Sequence, residues 1–126
     1  MFRSVNASLV CGRRPRRGGE KAVNQRDKGC RGEREFRDVL RDYGYKAERG
    51  QQRAGGSGSP DVVHDVRGVH FEVKRTEALR LWEAYDQANR DAADKLPVVV
   101  HRPSRRPWLA IMDISVFFQL LREAGR

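Results

Sequence analysis

Two cysteines in 126 residues, Cys11 and Cys30, are too few and too poorly placed for a disulfide framework, and the absence of any Cys-x-x-Cys pair removes the commonest zinc-binding pattern. A reducing compartment is the expectation. Long apolar runs are missing as well: no stretch approaches the roughly 20 residues that span a bilayer, and MFRSVNASLVCG ahead of RRPRR is at best a weak signal-like segment. This predicts a soluble, cytoplasmic protein with no membrane partner. His64 and His70 have no third ligand at suitable spacing, so they read as ordinary strand residues rather than zinc ligands. There is no internal repeat.

What the chain has in excess is positive charge. Lys and Arg number 26 against 17 Asp and Glu, a formal net charge of +9, and a polyanionic partner fits that balance. The excess is uneven, since residues 1–27 hold seven basic and two acidic residues while 28–126 hold nineteen and fifteen. The first segment is rich in Arg, Gly, Asn and Ser and lacks a sustained period, so it is expected to be a disordered basic tail. Residues 28–126 are long enough for one domain with its own core.

Within that domain Phe36, Val39, Leu40 and Tyr43 recur at helical spacing and Gly44 supplies a stop, which predicts a helix over 29–43. An extended piece, 45–49, leads into QQRAGGSGS, expected to be a mobile loop. Residues 61–66, the turn Arg67-Gly68 and residues 69–75 read as a β-hairpin, with Val69, Phe71 and Val73 on one face and His70, Glu72 and Lys74 on the other. A second helix is expected over 78–94 with the stripe Leu81, Trp82, Tyr85, Ala88 and Ala92. Strands at 98–101 and 108–112 follow, joined by the basic turn RPSRRP. A last helix, capped by Asp113 or Ser115, ends near Ala124. Trp82 and Trp108 read as core or interface. The last helix is apolar on more than one face, which suits burial against a partner subunit. The order helix, three strands, helix, two strands, helix favours a mixed sheet flanked by helices.

Cutting a phosphodiester needs a divalent cation on hard oxygen ligands, a nucleophilic water, and positive charge for the crowded phosphate. Asp61 opens one predicted strand and Glu72 lies near the end of the next. Lys74 is two strand residues beyond it, roughly 7 Å along the same face. In such a hairpin Asp61 and Glu72 would hold Mg²⁺, with the Val73 carbonyl as a further ligand, and Lys74 would orient the water or neutralise phosphate charge. The plain alternative is a Glu72–Lys74 ion pair on a solvated strand, worth under about 1 kcal/mol.

SPD ending at Asp61, followed by FEVK from Phe71 to Lys74, resembles the PD-(D/E)XK nuclease motif. Upstream, KGCRGERE at 28–35 is similar to the opening of archaeal-type Holliday junction resolvases, and the stretch from LWEAYDQ to RRPW is similar to phage and prophage resolvase-like endonucleases. The resemblance covers about residues 28–112. It implies an α/β, restriction-endonuclease-like fold of αβββαβ order and a homodimeric DNA endonuclease using Mg²⁺, with Mn²⁺ as a possible substitute. It makes Glu33 the third acid beside Asp61 and Glu72, and Gln87 an auxiliary residue on the helix after the lysine strand. The Gly-Ser loop, through Ser57 and Ser59, and Arg49, Arg53 and Arg75 around it are the expected phosphate contacts.

The function this predicts is a metal-dependent, structure-selective endonuclease of DNA recombination and repair, with a four-way junction as the first substrate. Another branched-DNA nuclease, a restriction-like enzyme, or a non-catalytic DNA-binding protein of the same fold are the alternatives.

Overall fold

The structure, a computed structural model, describes residues 20–50 and 61–126. Its elements run α1 (Glu20–Asp42), β1 (Ala47–Arg49), β2 (Val62–His64), β3 (Val69–Lys74), α2 (Leu81–Ala92), β4 (Leu96–His101), β5 (Leu109–Ile111) and α3 (Ile114–Glu123). The chain is therefore mixed α/β, with small sheets flanked by helices.

α1 ends where Gly44 predicts, and the reason is visible in the backbone. Gly44 adopts φ 91°, its N–H bonds the Arg41 carbonyl at 2.9 Å, and the Tyr45 N–H bonds the Leu40 carbonyl at 3.0 Å. This pair of bonds is a Schellman closure. The start of α1 is different from the expected one: the helix begins at Glu20, inside the segment read as a disordered tail. Lys, Gln, Arg and Glu are good helix formers without an apolar period, so hydrophobic patterning has no signal for this end. Residues 1–19 lie outside the described residues.

β1 and β2 form an antiparallel ribbon, with Ala47 opposite His64 and Arg49 opposite Val62. β3 pairs in parallel with β4, and β4 pairs antiparallel with β5, giving a three-stranded sheet of order β3-β4-β5. The predicted hairpin between β2 and β3 is thus not a strand pair. β2 takes β1 as its neighbour, β3 takes β4 through the α2 crossover, and the turn at Arg67-Gly68 changes sheet. Pro97 stands in β4 opposite His70, where β5 has not yet begun to pair, a position that tolerates proline.

α1 covers one face of the sheets and α2 the other. Phe36 and Leu40 of α1 pack with Ala47, Val62, Val69, Val98 and Val100, and Phe71, Val73 and Trp108 lean on this core. The Phe36 ring meets Phe71 and Trp108 edge-on, at centroid distances of 5.0 and 5.3 Å. On the opposite face Ala84 and Ala88 of α2 pack on Val99. The buried stripe of α2 is Ala84, Ala88 and Ala92: the predicted Ala88 and Ala92 belong to it, Leu81, Trp82 and Tyr85 do not, and Trp82 is 71% exposed rather than core. Small residues let the helix lie close to the sheet, so its large residues fall to the sides. α3 is capped as expected, the Asp113 carboxylate accepting the Ser115 N–H at 2.7 Å. Val116 reaches the core, while Ile114 and Phe118 are exposed.

Candidate active site

The site is built on the second face of β3. Strand alternation sends Val69, Phe71 and Val73 into the core beneath α1, which leaves His70, Glu72 and Lys74 facing α2. Glu72 is 2% exposed and His70 7%. Two charged or polar side chains so deeply enclosed need partners.

Lys74 supplies the first. Its Nζ lies 3.1 Å from Glu72 Oε1 and donates to Gln87 Oε1 at 3.0 Å. Gln87 is therefore half-buried against β3, not on the charged, solvated face where a helical wheel centred on Leu81, Trp82 and Tyr85 puts it. Once the stripe of α2 is recentred on Ala84 and Ala88, Gln87 lies beside it, pointing to the strand. Asp61 joins from the start of β2: its Oδ2 accepts the Val73 N–H at 3.1 Å, a side-chain bond that ties the β1–β2 ribbon to the end of β3 where no ladder does. Asp61 is thus held beside Val73 by this bond rather than by the predicted hairpin.

Electrostatics follow from the crowding. Burial pushes the Asp61 carboxyl up to about 6 from 3.8, the Glu72 charge adds to the shift, the Val73 N–H opposes it, Glu33 raises it and Lys74 lowers it. Glu72 goes the other way. Burial alone would raise it, but the nearby His70 and Lys74 outweigh that and hold it below its ordinary value. The His70 Nε2 is 3.7 Å from Glu72 Oε2, too far for a hydrogen bond, so its influence is through-space. Two acids of unequal character result: Glu72 is held below its ordinary value, and Asp61 is raised to about 6, chiefly by burial.

Glu33 projects from α1 and is buried, 6% exposed. Its Oε2 accepts from Arg49 Nε at 2.7 Å, and the same guanidinium reaches Cys30 Sγ at 2.7 Å through Nη2. The pairing raises the Arg49 pKa above its ordinary value. Glu33 is close enough to be felt by Asp61, yet oxygens of Glu33, Asp61 and Glu72 do not gather within 4.8 Å of one another; the trio that does is His70, Glu72 and Asp91. Pattern reading missed Asp91, although it stands four residues after Gln87, one helical turn along the same line.

α1 comes this near because of Gly32, where a Cβ would stand 2.4 Å from the Arg75 Cβ. A side chain there would push the helix off the end of β3. Arg75 itself donates to Glu35 Oε2 at 3.0 Å and to the Arg102 carbonyl at 3.3 Å, and Arg102 bonds the same Glu35 oxygen at 3.2 Å. Arg49 and Arg75, expected to face phosphate, are thus both engaged inside the fold. Arg53, Ser57 and Ser59 lie outside the described residues.

No protein-family model, curated protein or solved structure matches this chain. Asp61, Glu72 and the Val73 backbone offer hard oxygen donors, and the burial that raises Asp61, with the Glu72 charge adding to it, is what a bound dication would offset. No helix among the described residues is long and apolar enough to cross a membrane.

Proposed function

We propose that this chain is a metal-dependent, structure-selective DNA endonuclease with a restriction-endonuclease-like fold, hydrolysing phosphodiester bonds in four-way junctions. The observation that carries the proposal is the convergence of Asp61, Glu72, Lys74 and Gln87 through the Val73 N–H bond, the Glu72–Lys74 pair and the Lys74–Gln87 bond. A surface ion pair has no use for an auxiliary amide and a second acid held up to about 6 beside it.

Asp61, Glu72 and the Val73 carbonyl would hold Mg²⁺ or Mn²⁺, with Glu33 as the third acid. The ion would supply Lewis-acid stabilisation of the phosphate and an acidified water. Lys74, fixed by Gln87 and Glu72, holds an ammonium beside the acids, where it orients a water or offsets charge on the phosphate. The net charge of +9 brings the polyanion in. The uncovered apolar residues of α3, Ile114 and Phe118, suit a homodimer, and two-fold symmetry matches symmetric cutting of a junction.

The test is incubation of the purified protein with labelled four-way junction, Y-fork and linear duplex in Mg²⁺. Paired, symmetric nicks in the junction and intact duplex are the expected products; equal cutting of all three would assign a general nuclease instead.

One observation favours a second reading. Glu33 is committed to Arg49, so the three acids are not gathered. A DNA-binding protein without cleavage would show junction affinity but no products in Mg²⁺ or Mn²⁺.

A further inference from the structure

His70 is not used by the proposed cleavage chemistry, and it carries an unmet requirement. Its side chain is 9% exposed, and Nε2 is the one buried side-chain nitrogen or oxygen among the described residues without a hydrogen-bond partner. A buried polar atom left so is destabilising unless something else pairs with it. Across from it, on α2, stands Asp91. One ligand atom each from His70, Glu72 and Asp91 all lie within 4.8 Å of one another. Two ligands are buried and Asp91 is exposed, so the cluster has both a dry floor and a route in from solvent.

We infer that His70, Glu72 and Asp91 form a second site, adjoining the proposed Mg²⁺ site and sharing Glu72 with it, for a first-row transition dication such as Co²⁺, Mn²⁺ or Zn²⁺. The donor set decides the class of ion: an imidazole nitrogen with two carboxylates favours these metals, whereas Mg²⁺ keeps to oxygen and retains its waters. Bond lengths near 2.0–2.2 Å place ligand atoms about 3–4 Å apart, so the cluster closes with a small rotation of the exposed Asp91. Glu72 turns Oε1 to Lys74 and Oε2 to His70, which lets one carboxylate serve this site on one side and the ammonium on the other. The competing account is His70 paired with one of the two carboxylates and no ion. The inference goes beyond the nuclease reading and does not require that the chain cut DNA.

Chelator-stripped, full-length protein titrated with Co²⁺ separates the two. The site predicts a visible d–d absorption that saturates at one ion per chain, with affinity reduced more than about tenfold by both H70Q and D91N. D61N should retain the band, which distinguishes this site from the proposed Mg²⁺ site. Asp91 is exposed, so D91N keeps the test valid even where H70Q perturbs folding. No saturable band in the wild type, or a band unchanged in D91N, would overturn the inference. Loss of junction cleavage in D61N with the Co²⁺ band intact would leave both readings standing; absent cleavage with the band intact would remove only the nuclease reading.

Discussion

β3 carries two faces that obey different rules. Val69, Phe71 and Val73 meet α1 in a packed apolar core, whereas His70, Glu72 and Lys74 meet α2 through charges and a single amide. The first face is held by burial and tolerates no gap; the second holds acids against their own repulsion and leaves an imidazole nitrogen unpaired. A strand needing only stability would bury both faces in aliphatic residues, as parallel strands usually do. The second face is therefore where function is to be sought.

Mutations on the two faces should separate stability from chemistry. The largest loss of stability is expected from the first: Phe71→Ala removes a ring packed edge-on against Phe36 and should cost about 3 kcal/mol, read as a fall of roughly 10 °C in the thermal midpoint. An unchanged midpoint would mean that the core does not rest on this face.

On the second face the sign reverses. The folded Asp61 has its pKa raised to about 6 from 3.8, so the folded chain holds that proton more tightly than the unfolded one. Stability of the metal-free protein should accordingly fall as pH rises from about 4 to 6, with the penalty complete above that. Asp61→Asn should then stabilise the chelated protein by about 1–2 kcal/mol at pH 7 to 8 and by nothing below pH 4. Thermal melts across that range check it; destabilisation at neutral pH would contradict the crowding of acids.

The smallest effect falls on the amide. Gln87→Ala leaves Lys74 its contact with Glu72 and should cost under about 1 kcal/mol, with a few-fold drop in cleavage at unaltered DNA affinity. A loss as large as that of an acid would promote Gln87 from auxiliary to essential.

Much of this contrast is legible from residue order. Alternation separates the two faces of β3, Gly44 ends α1, Asp113 caps α3, and the β3–α2–β4 crossover is implied by strand, helix, strand. Pairing is not legible in the same way. Alternation says which side of a strand is buried but not which strand lies beside it, so Asp61 reaches β3 through a side-chain bond where a hairpin is predicted. The wheel of α2 misleads because Leu81 and Trp82 outweigh Ala84 in any hydrophobicity count, although close packing selects the alanines. That error puts Gln87 on the solvated face. The engagement of Glu33 with Arg49 joins residues sixteen positions apart across two elements, which local pattern does not encode.

The proposed cutting of DNA by the polar face of β3 is tested most directly by one comparison: cleavage of a labelled four-way junction in Mg²⁺ by wild-type protein and by Asp61→Asn at matched DNA occupancy. The site predicts loss of about 10²–10⁴-fold in rate with binding and fold retained. Cleavage by Asp61→Asn at the wild-type rate would contradict it.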